Sequence, residues 1–342
     1  MSGLIIAIVI LLGIIVIAQV MKVSEISSDL KKGADNKVSS RDNDIQGTLM
    51  FLVGMSFIIA VIWMYFAWGD RLLPKPASLH GAEVDALWNT SMIIINIVFF
   101  VVQPILFWFA FRYRGKKGQR ASYYEHNNKL EFIWTIVPAL ALAVLITWGL
   151  STWGDIMNPE NEEEPIVIEV YAQQFNWTAR YSGGDNLLGY ANVNFISGTN
   201  GLGVDMSDLN SADDIIAKEI HLPVGKPVMF KFRSQDVIHS AFMPHFRAQM
   251  NCVPGMVTQF QFTPTITSAE MKADPYVVNQ ISEINEIRKA NGEEDPYEFG
   301  YILLCNKICG AAHYNMQLPI IVESEADYNK WLSEQKTIAE SL

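Results

Sequence analysis

The chain has 342 residues, 50% of them hydrophobic, and a formal net charge of −11. That is too apolar for an ordinary soluble domain, and an acidic chain lacks the phosphate-neutralising surface that nucleic-acid binding needs. No glycine-rich phosphate loop, Gly-x-Ser-x-Gly or internal repeat occurs, so nucleotide and serine-nucleophile chemistry lack their usual motifs.

In chain order, four apolar runs come first, at residues 4–21, 48–68, 92–111 and 132–150. Each is about long enough to cross a hydrocarbon core as a helix, which takes ~20 residues. Gln103 and Pro104 interrupt the third run, an interruption membrane helices tolerate. The loop after the first run holds Lys22, Lys31, Lys32, Lys37 and Arg41, and the loop after the third holds Arg112, Arg114, Lys116, Lys117, Arg120 and Lys129. The loop after the second holds only Arg71 and Lys75. Basic loops stay cytoplasmic, so both termini and everything beyond Trp153 are expected outside. The first run has no Lys or Arg before it and several after it, the reverse of a signal peptide. A retained helix is therefore expected.

Residues 153–342 hold twelve Lys and Arg against 26 Asp and Glu, a net charge of −14. The run Glu162-Glu163-Glu164 reads as a solvated linker, while the acidic surface as a whole suits a basic partner. All three cysteines, Cys252, Cys305 and Cys309, lie here. An oxidising compartment normally pairs thiols, so Cys305 and Cys309 either form a disulfide or are kept reduced by a metal.

From Ile166 onward, about seven short strands bounded by Gly, Pro and Asn are expected, which suggests an all-β sandwich or barrel. "IVIEVYAQQFNWTARY" gives one or two, "IAKEIHLPVGKPVMFKFRS" two around a turn, and "MVTQFQFTP" one. "FGYILLC" and "LPIIVES" give two more, flanking "CNKICGAAHYNM". A turn-rich insertion spans 182–214, a helical insertion 267–294, and a terminal helix 326–341.

"CNKICGAAHYNM" places Cys305, Cys309, His313 and Met316 at steps of four, four and three. Such steps also describe one face of a buried helix, but Asn306, Gly310 and the following Leu318-Pro319 favour strand, loop, strand. Upstream, "SQDVIHSAFMPHF" offers His239 at the end of another strand. Zinc would close a Cys2His2 tetrahedron and leave the methionine unused. A blue-copper site would leave one cysteine over, and a c-type haem needs Cys-x-x-Cys-His. Two copper ions bridged by two thiolates use every group: one imidazole each, with the Met316 thioether and a backbone carbonyl in the weak axial positions.

With these segments together, the chain resembles cytochrome c oxidase subunit II, a cupredoxin-type domain carrying a dinuclear CuA centre. The resemblance covers roughly residues 88–323. "LEFIWTIVPALALAVLI" resembles the start of that family's second helix, and "YAQQFNW" its aromatic stretch where electrons enter. "LPVGKPVMFKFRSQDVIHSAFMPHFRAQMNCVPGM" and "CNKICGAAHYNM" resemble its two ligand segments. It implies as copper ligands His239, Cys305, Cys309, His313, Met316 and the main-chain carbonyl of Lys307. It also implies electron uptake near Phe175 and Trp177 and a proton-channel entrance at Glu131. Asp236, acidic and three residues before His239, is expected to orient a ligand or contact the donor.

Three departures matter. The family has glutamate where Lys307 stands; its carboxylate also binds magnesium at the contact with subunit I, and an ammonium cannot ligate a cation. The family's tryptophan after the glutamine is Phe175 here. The first two apolar runs add two helices to the usual two.

The expected fold is membrane-anchored: four transmembrane α-helices, then an all-β cupredoxin-like domain. Residues 1–87 hold the extra helices, 88–152 the family's helical hairpin, 153–325 the exterior domain and 326–342 a C-terminal helix. The implied partners are subunits I and III, a cytochrome c or c-type haem domain, and membrane lipid, with haem only in subunit I. The implied location is a bacterial inner membrane with the C-terminal domain in the periplasm. Cys252 is expected in the core, and His221 and His245 on the surface. A copper-free quinol-oxidase-like subunit would carry degenerate ligands, and a membrane-anchored copper chaperone would not need the oxidase-like helices.

Overall fold

The computed structural model describes residues 2–31, 40–116, 118–158 and 163–341. Lys32, Lys37, Lys117 and Glu162, which entered the charge pattern above, lie outside them. The chain divides into two compact units, residues 1–66 with 97–127, and 67–96 with 128–342.

Four helices come first: α1 (Ser2–Lys31), α2 (Ser40–Trp68), α3 (Gly81–Arg112) and α4 (Asn128–Met157). Among the described residues three are long and apolar enough to cross a membrane, namely α2, α3 and α4. The first expected span falls in α1, several of whose side chains lie outside the described residues. Within the first unit α2 packs on the C-terminal half of α3, with Phe51 against Phe111 at 5.3 Å between ring centroids. Gly54 makes this approach possible, since a Cβ there would meet the Phe107 ring at 2.2 Å. Asp44 accepts a 2.6 Å hydrogen bond from Arg114 at the end of this contact.

The second unit contains ten strands rather than seven. They are β1 (Ile166–Gln173), β2 (Asn176–Tyr181), β3 (Ile215–Ala217), β4 (Ile220–Pro223), β5 (Val228–Ser234), β6 (His239–Met243), β7 (Ala248–Cys252), β8 (Thr258–Phe262), β9 (Tyr301–Cys305) and β10 (Gln317–Glu323). They form two five-stranded sheets, ordered β3-β2-β1-β5-β8 and β4-β10-β9-β6-β7. Period-two alternation supplies the core. Val228, Phe230 and Phe232 of one sheet and Leu303, Leu318 and Ile320 of the other point into one shared cluster. The expected helical insertion is α5 (Ser268–Ala273) and α6 (Pro275–Ala290), and the chain ends in α7 (Glu325–Glu334) and α8 (Ile338–Ser341). A reciprocal Thr267–Glu270 capping box starts α5, and Asp274 with Pro275 starts α6, so the turn chemistry fixes both helix starts.

The segment joining α2 to α3 is built into this unit. Ala77 N–H donates to His245 O at 2.7 Å and Ala77 O accepts from Thr265 N–H at 2.8 Å. Arg247 grips Asp85 through two hydrogen bonds of 2.6 and 2.9 Å, and Lys75 pairs with Asp274.

The outer face of β1 is also buried, by charge. Arg180 on β2 donates to Glu169 at 2.9 Å, to Asp214 at 2.8 Å and to Gly189 O at 2.9 Å. Arg233 on β5 closes the cluster on Glu169 and donates to Leu202 O at 3.0 Å. This network ties the 182–214 insertion to the sheet. Burial works against charge on Glu169, but Arg180 and Arg233 outweigh it and hold the carboxyl below its ordinary range. On Asp214 burial wins over Arg180, and its pKa rises to about 6.

Candidate metal centre

Two strand ends and one loop supply the site. The β9 pattern, with Tyr301, Leu303 and Cys305 all inward, carries Cys305 into the core at the strand's last residue. The motif beyond it is a loop closed by one 3-10 turn at His313–Asn315, so its four-residue steps are not helical. Cys305 N–H donates to Met316 O at 3.1 Å and Asn306 N–H to Ser240 O at 2.9 Å, which ties the loop ends together. His239 opens β6 and is fully buried, paired in register with Cys252.

The sulfurs of Cys305 and Cys309 lie 3.8 Å apart, far beyond the ~2.05 Å of a disulfide. His239 Nδ1 is 3.8 Å from Cys305 Sγ, and His313 Nδ1 is 3.6 Å from Cys309 Sγ. Met316 Sδ lies 3.8 Å from Cys309 Sγ, and the Lys307 carbonyl 3.2 Å from Cys305 Sγ. The donor atoms of His239, Cys305 and Cys309 all fall within 4.8 Å of one another. Metal–sulfur bonds of ~2.3 Å would span the two sulfurs at a near-tetrahedral angle, so the donor set fits soft metal ions shared between two thiolates. Burial, then the Cys305 sulfur, pushes the Cys309 thiol up to about 11; a metal must displace its proton.

Around these ligands, Asp236 Oδ1 accepts from His239 Nε2 at 2.8 Å, which turns Nδ1 towards the sulfurs. Burial raises the Asp236 pKa, but hydrogen bonds from His239, Gln174 N–H and Val237 N–H outweigh it and hold the group below its usual value. Trp177 is 1% exposed, edge-on to the His239 ring at 6.0 Å, and donates to Met316 O at 3.3 Å. It therefore supports the site from within and offers no surface for electron uptake; Phe175 is the half-buried aromatic. The Lys307 side chain is exposed. Glu131 stands apart from this cluster, in the first turn of α4.

Two histidine expectations are corrected. His221 is buried, stacked on Trp331 at 4.0 Å, with Glu323 at 2.7 Å and Glu219 at 3.1 Å from its two ring nitrogens. His245 is half-buried between Phe299 and Tyr301, and burial pushes its pKa down to about 4. Aromatic partners distant in sequence cover both rings. Cys252 is in the core as expected, and burial raises its thiol to about 12. Sequence reasoning missed Gln174, whose side chain donates to the Cys309 carbonyl; its signal was a polar pair inside an otherwise apolar strand end.

Residues 62–151 match the family model described as cytochrome c oxidase subunit II, transmembrane domain, and residues 166–291 the one described as its periplasmic domain. The second match stops before Cys305, so the Cys305–Met316 loop stands on its own geometry. An alternative cytochrome c oxidase subunit 2 of Bradyrhizobium diazoefficiens is 33% identical over 267 residues, 77% of this chain and 84% of the relative. The cytochrome c oxidase subunit 2 of Synechocystis is 22% identical, over 84% of this chain and 83% of that protein. That of Thermostichus vulcanus is 25% identical, over 82% and 84%. With a transmembrane segment and a periplasmic domain, this component of an oxidoreductase complex belongs to the cytochrome c oxidase subunit II family.

Proposed function

We propose that the chain is the electron-accepting subunit of a respiratory haem–copper oxidase, with His239, Cys305, Cys309, His313, Met316 and the carbonyl of Lys307 holding two copper ions. The observation that carries this is the meeting of two free thiols 3.8 Å apart with one imidazole beside each. Bound there, the copper pair would supply one-electron chemistry, between a cytochrome c or c-type haem domain and haem in subunit I, where oxygen is reduced to water with proton translocation.

This chain's residues prepare that chemistry. Asp236 fixes the His239 ring and keeps a negative charge beside it, and Trp177 packs against the same ring and excludes water. Phe175 and the acidic exterior offer a basic donor an aromatic contact within an attractive field. Glu131, at the positive end of α4, suits a carboxylate and is assigned the entrance of a proton path into subunit I. Lys307 brings an ammonium where magnesium would need a carboxylate, so this side chain contributes no ligand to such a site. The protein is assigned to a bacterial inner membrane, beside subunits I and III. A copper-free quinol-oxidase-like subunit has no use for a complete donor set, which disfavours that alternative; a copper chaperone has no use for the helical hairpin.

The test is rapid mixing of the assembled oxidase with a reduced c-type cytochrome. The copper absorption should bleach before haem is reduced, at a rate that falls steeply with ionic strength. Haem reduction without copper bleaching contradicts the assignment.

A further inference from the structure

The turn between β1 and β2 touches both ligand-bearing loops. Gln174 N–H donates to Asp236 Oδ2 at 2.7 Å, and the other oxygen of Asp236 holds His239. Gln174 Nε2 donates to the main-chain carbonyl of Cys309. The next residue, Phe175, lies over Gly310: a Cβ there would fall 2.7 Å from Phe175 Cζ and 2.9 Å from Gln174 Nε2. Gly310 also has φ +141°, a backbone conformation that favours glycine. The closeness of this turn to the loop is thus written into Gly310 as well as Gln174.

The loop needs such a contact. Its ends are fixed by Cys305 N–H to Met316 O and Asn306 N–H to Ser240 O, and its far side by His313 N–H to Gly310 O. Between those anchors Lys307 and Ile308 are exposed. Cys309 must nonetheless hold its sulfur within 4 Å of three other donor atoms.

We propose that Gln174 is a positioning residue for the metal centre, fixing the Cys309–Gly310 backbone against the Asp236–His239 segment so that both thiolates and both imidazoles converge. This role rests on the copper assignment above. Its backbone bond to Asp236 is kept in any variant that retains the main-chain N–H, so a change to Met or Ala isolates the bond to Cys309. Losing one hydrogen bond of ordinary net strength corresponds to a roughly 2- to 12-fold change in an equilibrium or a release rate.

The test uses the full-length chain in detergent, loaded with copper, and compares Gln174→Met, which keeps bulk without a donor, with Gln174→Ala. Both variants should release copper to a chelator about 2- to 12-fold faster than wild type. Their mixed-valence spectra should show less equivalent copper hyperfine couplings, and metal-free amide exchange should accelerate across residues 306–313 with the thermal midpoint unchanged. Wild-type release, hyperfine pattern and exchange in both variants overturn the proposal. So does a lowered midpoint with exchange accelerated throughout the domain, which marks a merely structural residue. A wild-type chain that takes up no copper pair overturns the copper assignment and this role with it, and is told apart because the wild type itself fails.

Discussion

Two buried polar clusters sit in the same β domain and are built on opposite principles. The Glu169–Arg180–Asp214–Arg233 cluster closes on itself: each guanidinium meets a carboxylate and a backbone carbonyl. The Cys305–Cys309–His239–His313 cluster brings no opposite charges together among its own members, and Asp236 meets only the far nitrogen of His239. Its weakly hydrogen-bonding sulfurs and imidazole nitrogens face one another at 3.6–3.8 Å. A buried polar group costs free energy unless it finds a partner. The first cluster pairs opposite charges within the chain and leaves Asp214 Oδ1 unpartnered, whereas the second brings metal-ligating donor atoms together. Pairing of opposite charges marks the first cluster, and convergence of soft donor atoms marks the second.

The two clusters should fail differently. Cys309→Ser should abolish the shared-copper spectrum altogether while the metal-free melting midpoint moves little; metal analysis with a thermal melt checks both. Arg180→Met should do the reverse, leaving the copper spectrum intact. With Glu169 and Asp214 buried beside an uncharged side chain, it should cost about 3–5 kcal/mol in denaturant titration. Asp236→Ala, which frees the His239 ring, should weaken copper binding about 10- to 100-fold, read by competition with a chelator.

A smaller effect lies in pH. Asp214 has its pKa raised to about 6, so it binds a proton in the folded state before it does in the unfolded chain. Its contribution to stability is present at low pH and lost as pH rises from the ordinary carboxylate range through about 6. Glu169 has the opposite sign: its contribution is lost as pH falls below that range. Asp214→Asn should therefore remove the loss on going from acid to pH 6 in denaturation curves. The smallest expected change is Lys307→Glu, which should leave the copper spectrum nearly untouched, because the carbonyl and not the side chain faces Cys305. It should alter association with subunit I, measured by co-purification.

The ligands were legible because Cys, His and Met are rare enough for their spacing to carry information, and because strand-like segments flank the motif. The helical stripes of α2, α3 and α4 were legible from hydropathy alone. What the pattern could not give was burial decided by distant partners. His221 is covered by Trp331, 110 positions later, and Trp177 is buried by a site whose other walls come from β6 and the β9–β10 loop. The charge cluster did leave a trace, a glutamate and an arginine inside the apolar strands "IVIEVYAQ" and "NWTARY". Their pairing, like the Gln174 bridge, depends on register, which one-dimensional periodicity does not contain.

The central claim is that His239, Cys305, Cys309, His313 and Met316 hold two copper ions sharing one unpaired electron. Metal analysis and optical and magnetic spectra of the full-length copper-loaded chain test it together. Two coppers per chain with a delocalised mixed-valence spectrum is the predicted result. A single copper, zinc, or a Cys305–Cys309 disulfide in the native protein would contradict it.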